Sequence, residues 1–281
     1  MIQINQLSFR YNRKANLFEN LNLELQPGNI YGLLGRNGAG KTSLLKLLSG
    51  LHFPKEGDVR VFGHQPKDRH PDFLGDLCFL PEDLYVINTS IRRYVDNHAP
   101  FYPKFDASAF DNYLQDFNID PTAQLGELSY GQKKKVLLGF GLSTNARLLL
   151  LDEPTNGLDI PSKSQFRQLI SSAVTDDRII IISTHQVRDM AALIDPLIIL
   201  DQGSIIFREN LAEISGKLYF ELIPSMKVPE GVLYAERVPG GFLAIHRNEH
   251  GMESEVAIEV RFNAIVQNRK VIQDIFEQVS V

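Results

Sequence analysis

Gly35-Arg36-Asn37-Gly38-Ala39-Gly40-Lys41-Thr42 fits the pattern G-x-x-x-x-G-K-[ST] of a phosphate-binding loop. Its glycines let the backbone curl until successive N–H groups point at one anion. A helix starting just behind it would add the positive end of its dipole. Lys41 is placed to reach the β- and γ-phosphates of a nucleotide, and the Thr42 hydroxyl to ligate Mg²⁺. At ordinary glycine usage a chance match in a chain of this length has a probability on the order of one in a hundred. A nucleoside triphosphate is therefore the expected ligand.

Two further groups belong to the same chemistry. Asp152-Glu153 follows the apolar run Leu148 to Leu151, which places two carboxylates at the end of a buried strand. In an open α/β sheet the carboxyl ends of the strands border the ligand crevice. Asp152 is expected to hold Mg²⁺, directly or through water, and Glu153 to polarise the attacking water. His185 follows another apolar run, Ile179 to Ile182 with Ser183-Thr184. A lone histidine is usually an ordinary surface or core group. A second strand end in the same sheet would bring this one to the γ-phosphate, where it could orient the water.

The elements that must position these groups are legible in outline. Ile2 and Ile4, then Leu21, Leu23 and Leu25, alternate with polar residues, as in half-buried strands of an antiparallel sheet. After the turn at Pro27-Gly28, Ile30 to Leu34 reads as a buried strand leading into the loop. Leu44, Leu47, Leu48 and Leu51 repeat at helical spacing behind it, and Val59, Val61 and Phe62 suggest another strand. Tyr85 to Asn97, Asp106 to Phe117 and Ser129 to Leu142 read as helices of an insertion spanning about 84–140. Leu148 to Leu151, Ile179 to Ser183 and Leu197 to Leu200 are continuous apolar strands of a parallel sheet covered on both faces. Lys133-Lys134-Lys135 is expected to be a solvated helix face.

Beyond about Lys217 the pattern changes. Leu218 to Phe220 suggests a strand, Val232 to Arg237 and Phe242 to Arg247 a hairpin around Pro239-Gly240-Gly241, and Phe262 to Val279 a final helix. The expected division is an ATPase unit over 1–215 and a small α+β accessory unit over 216–281. An additional dimer contact is the simplest role for the latter.

Composition excludes several classes. The 281 residues carry 29 Lys+Arg against 34 Asp+Glu, a net charge of −5, which argues against nucleic acid as a general partner. The single cysteine, Cys78, rules out a disulfide framework and a multi-thiolate zinc site. No apolar run approaches the ~20 residues that span a bilayer, and Met1 to Asn5 lacks the features of a signal peptide. A cytoplasmic location is expected, with membrane work left to a partner.

These pieces, together with Leu128-Ser129-Tyr130-Gly131-Gln132 upstream of Leu151-Asp152-Glu153-Pro154-Thr155, resemble the ATP-binding subunits of ABC transporters over roughly residues 1–210. The Leu-Ser-x-Gly-Gln segment is the specific part, since other phosphate-loop enzymes do not share it. The resemblance implies a phosphate-loop α/β fold with a parallel core sheet, an N-terminal antiparallel β subdomain, a helical insertion and a small α+β appendage. It implies ATP and Mg²⁺, with Tyr11 stacking on adenine and Gly35, Asn37, Gly38, Ala39, Gly40, Lys41, Thr42 and Ser43 around the phosphates. Thr42, Glu82 and Asp152 would surround the metal, with Glu153 and His185 catalytic. Ser129, Gly131 and Gln132 would act in trans on the ATP of a second subunit, in a homodimer, with Asp159 on the loop crossing between subunits.

The helical insertion, by the same resemblance, would receive a cytoplasmic helix of a separate permease, with Leu84 to Tyr94 nearest the site. The chain would then sit on the inner face of the membrane. Two departures stand out. Tyr130 replaces the first glycine of the signature, adding bulk beside the trans phosphate, and Glu82 stands where the family usually has glutamine. With the lysine run they resemble an export-associated branch. A soluble ABC-type ATPase acting on ribosomes or DNA is the alternative. Against it stand a single cassette, the lack of sustained heptads between Lys41 and Ser129, and the shortage of cysteines. A nucleotide-gated module with little turnover is a third reading, opposed by the presence of Lys41, Asp152, Glu153 and His185.

Overall fold

A computed structural model describes all residues except 13–14, 187–189, 191, 226, 228–229, 253–264 and 278–281. β1 (Ile2–Phe9), β2 (Phe18–Leu25) and β4 (Glu56–Val61) form an antiparallel sheet in the order β2-β1-β4. In β2, Leu21, Leu23 and Leu25 are buried while Asn22 and Glu24 are exposed, which is the period of two that one wet face requires.

The central sheet runs β5-β6-β7-β3-β8-β9. β3 (Asn29–Leu34), β5 (Leu77–Leu80), β6 (Leu148–Asp152), β7 (Ile179–Thr184) and β8 (Leu197–Asp201) are parallel. β9 (Ser204–Glu209) closes the edge antiparallel to β8. Alternate residues of these strands enter two different cores. Tyr31, Leu33, Leu148, Leu150, Ile179 and Ile181 pack with the antiparallel sheet and with Leu44, Leu45 and Leu47 of α1 (Lys41–Leu48). Leu34, Leu149, Leu151, Ile180 and Ile182 pack with Leu138 and Leu142 and with Phe166 and Ile170. A sheet buried on both faces needs apolar residues at every position, hence the unbroken runs. Each such buried Leu or Ile contributes about 1.5–3 kcal/mol.

Register places the functional groups. Leu34 pairs with Thr184 and Asp152 with Ser183, so the loop after β3, the carboxylates after β6 and the residue after β7 emerge side by side. The helical insertion contains α2 (Pro71–Leu74) at its approach, then α3 (Ile91–His98), α4 (Ala107–Asp116) and α5 (Tyr130–Ser143). Ile91, Phe110, Leu114, Val136 and Phe140 form its own small core.

The first insertion helix is shorter than the stretch Tyr85 to Asn97 suggests. Ser90 caps it by accepting from the Arg93 N–H, and the backbone just before bonds sideways instead. Leu125 N donates to Thr89 O, and Gly126 N to the Asn88 side chain. β5, with four residues, is too short to show a period, and neither it nor β9 stood out in the sequence.

α6 (Ile160–Ser172) and α7 (Leu211–Lys217) lead toward the tail. There β10 (Leu218–Ile223), β11 (Tyr234–Val238) and β12 (Gly241–Arg247) form an antiparallel sheet in the order β10-β12-β11. Val238 pairs with Gly241 across Pro239-Gly240. The final helix is described as α8 (Arg269–Glu277), and Phe262 and Val279 lie outside the described residues. Phe220, Ile245, Ile265 and Ile272 extend the core shared by Leu138 and Ile180, so the tail is packed onto the central unit through a continuous apolar contact.

Candidate active site

The loop after β3 ends at Gly40, which has φ +111° and caps α1 without a side-chain bond to the first-turn N–H groups. A Cβ there would lie 2.7 Å from the Phe18 ring, so both the conformation and the space call for glycine. The uncapped N–H groups and the helix dipole form an anion site. Gly35, Asn37, Gly38 and Ala39 make up the rest of the loop, and Ala39 N closes it on Arg36 O at 3.1 Å. Lys41 is buried, its Nζ donating to Gly35 O at 2.8 Å and lying 3.7 Å from Glu153 Oε1. Its ammonium therefore bridges the loop and the acidic turn.

Thr42 Oγ1 donates to Asp152 Oδ2 at 2.7 Å, and Ser183 Oγ donates to the other oxygen of Asp152. Thr42 and Asp152, 110 positions apart, thus meet as hard oxygen donors of the kind that hold Mg²⁺ with waters and phosphate oxygens. Among the described residues no group of three or more His, Cys, Asp or Glu side chains gathers as a metal cage. Mg²⁺ fits such a sparse site because it usually keeps several waters and uses only one or two carboxylates.

Glu153 is 4% exposed and has φ +45°, a conformation that costs a glutamate roughly 1–3 kcal/mol and needs enforcement by its surroundings. Its N–H donates to Ser183 O at 3.1 Å. Its Oε1 accepts from the His185 N–H at 3.0 Å and lies 2.7 Å from His185 Nδ1. An ionised carboxylate only accepts, so Nδ1 carries the proton in this contact and Nε2 stays available. Glu153 Oε2, Thr155 Oγ1 and Asn156 Oδ1 are buried without a hydrogen-bond partner among the described residues. Buried oxygens are rarely left so, and three of them in one turn mark where a ligand or water belongs.

Glu82, just past β5, accepts on Oε1 from Asn156 Nδ2 at 2.8 Å, which fastens it to the turn that carries Glu153. Tyr11 is 41% exposed, its hydroxyl 2.8 Å from Ser43 Oγ and 3.2 Å from His52 Nε2. Its ring meets Phe9 edge-on, beside the start of α1.

Ser129 caps α5 in a reciprocal box: its Oγ accepts from Gln132 N at 3.2 Å, and Gln132 Oε1 accepts from Ser129 N at 3.0 Å. Asp159 caps α6 by accepting from Ser162 N at 2.9 Å, and bonding to Ser162 holds its carboxyl below the usual range. A Cβ at Gly131 would meet Gly157 O at an ordinary 3.6 Å, so within the chain nothing requires glycine there.

One expectation fails here. Lys134 is 2% exposed, not part of a solvated face: its Nζ donates to Glu153 O at 2.7 Å and to Asn156 O at 3.0 Å. Burial lowers its pKa to about 8, opposed by Glu82, Glu153 and Asp152. The Tyr130 ring turns back onto its own chain, over Gly157, with its hydroxyl donating to Glu82 O at 2.7 Å. Ser183 and Asn156 were not singled out as site residues either. The spacing of Lys134 with Leu138 and Leu142 on one apolar face of α5 was the sequence signal for its burial.

The family model described as ABC transporter matches residues 18–156. The chain is 30% identical over 207 residues to the ABC transporter ATP-binding protein YtrB of Bacillus subtilis, covering 73% of this chain and 70% of that one. It is 30% identical over 211 residues to the SkfA peptide export ATP-binding protein SkfE of the same organism, covering 73% and 87%. A solved structure described as the ATP binding subunit of an ABC transporter superposes with a TM-score of 0.70 at 22% identity, over 76% of this chain and 91% of that one. That structure speaks for the fold alone.

Proposed function

Because the chain belongs to the ABC transporter family of ATP-binding proteins, we propose that two copies sandwich two ATP molecules, hydrolyse them with Mg²⁺ and drive a separate membrane-spanning permease. The likeness to SkfE, a peptide-export protein by its name, favours the outward direction. One observation carries the reading: buried Glu153 has one carboxylate oxygen held by His185 and near Lys41, and the other unpartnered among the described residues beside the phosphate loop. That is the arrangement of a general base aimed at a water.

In this reading Gly35 to Ser43 cradle the triphosphate and Lys41 leaves Gly35 O for the phosphate oxygens. Thr42 and Asp152 would hold Mg²⁺, with Glu82 beside them. When bound, the ion neutralises phosphate charge as hydrolysis proceeds. Glu153 takes the proton of the attacking water, and His185 Nε2, an acceptor in this tautomer, orients that water. Ser129, Gly131 and Gln132 complete the partner's site, and Asp159 crosses between the subunits. The absence of any intrachain need for glycine at 131 supports an external reason for it. Tyr11→Ala is expected to weaken ATP binding roughly two- to tenfold, the worth of one aromatic stack, with kcat unchanged. Titration with a fluorescent ATP analogue measures it, and an unchanged affinity would place the adenine elsewhere.

Among the described residues no helix is long and apolar enough to cross a membrane. A cleft of about 160 Å³ lies between β5 and the helical insertion, lined by Leu80, Leu84, Val86, Tyr94 and Leu137 among others. Tyr85 on its rim is 95% exposed and the neighbouring Ile87 71% exposed. Such apolar groups beside a cleft fit a helix of a permease. Affinity purification of the tagged chain from its own cells in mild detergent is expected to bring down a polytopic membrane protein in stoichiometric amount. Tyr85→Asp should lose that partner while the isolated chain keeps its ATPase activity. Copurification of ribosomes, DNA or soluble proteins alone would replace the permease with a non-membrane partner.

A further inference from the structure

We propose that Lys134 is a positioning residue: it ties the signature helix to the backbone of Glu153 in the same chain, so that engagement of Ser129 by one nucleotide sets the hydrolytic geometry at the other. The inference rests on the two-site reading above.

The contacts form a closed circuit. Lys134 lies just over one turn into α5 from its cap at Ser129. Its buried ammonium donates to Glu153 O and Asn156 O, the first and last carbonyls of the turn that bears the general base. That same turn is closed by Asn156 N donating to Glu153 O at 3.2 Å. At the start of α5, Tyr130 lies over Gly157, which has φ +76°, and a Cβ at 157 would come within 2.9 Å of the ring. The Tyr130 hydroxyl holds Glu82 O, while Asn156 holds Glu82 Oε1. The signature helix, the turn from Glu153 to Gly157 and the segment after β5 are therefore bonded to one another at several points.

Lys134 is suited to this task in a way an apolar residue is not. A buried ammonium demands acceptors, and two carbonyls converge on it at 2.7 and 3.0 Å. The carboxylates Glu82, Glu153 and Asp152 favour its charged form and offset the burial. The extra negative charge at Glu82 and the buried positive charge at Lys134 thus sit in one network.

The consequence is mechanical. Glu153 holds a left-handed conformation that only its neighbours maintain, and Lys134 is one of those neighbours. If the partner's ATP draws on Ser129, the rigid helix carries Lys134 with it, and the turn follows. A misplacement of about 1 Å at a reacting group costs on the order of a hundredfold in rate. Lys134 itself bonds to Glu153 O and Asn156 O and not to the groups assigned to bind ATP, so ground-state binding is kept.

The test compares the full-length parent with Lys134→Met, Lys134→Gln and Tyr130→Phe by steady-state ATPase assay, with KM, kcat and the Hill coefficient read separately. Lys134→Met should lower kcat roughly 10- to 100-fold with KM within about twofold, and bring the Hill coefficient toward one. Lys134→Gln, which keeps an N–H donor, should recover part of both. Tyr130→Phe should lower kcat about three- to tenfold and add little on top of Lys134→Met, as expected for members of one network. A merely structural lysine would lower the melting temperature and leave the Hill coefficient alone. Unchanged kcat and cooperativity in a folded Lys134 variant overturn the proposal, and Lys134→Gln with Tyr130→Phe carry the test if Lys134→Met does not fold. A parent with no ATPase activity would instead overturn the two-site reading.

Discussion

Replacing Glu153 by glutamine is expected to lower kcat by about 10²- to 10⁴-fold, the usual contribution of a positioned general base. ATP affinity should hold or improve, because a negative charge is removed from a wall facing the triphosphate. The substitution is nearly isosteric in a site with 4% exposure, so packing is preserved. The remaining carbonyl oxygen can still accept from His185 N, while the ionic approach of Lys41 at 3.7 Å is lost. With binding intact and chemistry blocked, a closed dimer should accumulate on ATP, visible as a doubling of mass in light scattering. Turnover equal to the parent's would show that another group removes the proton.

Which parts of this site the sequence displays follows from how local each signal is. The phosphate loop is eight contiguous residues whose chemistry needs their order, and the apolar runs of β3, β6 and β7 announce strands buried on both faces. Ser129 and Gln132 form a capping box that is also contiguous. What stays hidden is the relation between distant segments. No periodicity states that Asp152 pairs with Ser183 or that Leu34 pairs with Thr184, yet those registers decide that Thr42 meets Asp152 and His185 meets Glu153.

The same limit explains the misread lysine. Three consecutive lysines look like a wet face, but a helix turns about 100° per residue, so adjacent residues need not share one environment. Lys134 follows the apolar face of Leu138 and Leu142, whereas Lys133 is only partly buried. The contact of the Tyr130 ring with Gly157 is equally hidden in the sequence, because it joins two segments that no local pattern relates. The stretch from 85 to 90 reads as part of a helix, yet Thr89 O and the Asn88 side chain accept from Leu125 N and Gly126 N, Ser90 bridges Gln124, and the helix begins only after Ser90.

The other large effect concerns where each site ends. Lys41→Ala should abolish turnover by removing the cation that reaches the phosphates, and Ser129→Arg should do so by crowding the end of α5 where the partner's nucleotide would dock. Neither variant alone should retain more than about a hundredth of the parent rate. Mixed, unfolded together and refolded, the two should regain activity to the extent that one intact site can fire alone. In a two-fold symmetric pair, the heterodimer holds one site with both lesions and one site with neither. Random pairing makes half the dimers mixed, so roughly a quarter of the parent rate is expected if the sites turn over independently. A lower recovery, down to nothing, with mixed dimers present by mass would mean that one intact site cannot fire without the other, the behaviour that the Lys134 link predicts. If Ser129 served its own chain's Lys41, the mixture would also stay silent, but then a heterodimer of parent and doubly substituted chains would keep one working site. In the trans arrangement that second heterodimer has no intact site, because the doubly substituted chain contributes one lesion to each of the two sites. Comparing the two mixtures therefore separates coupling from misassigned geometry.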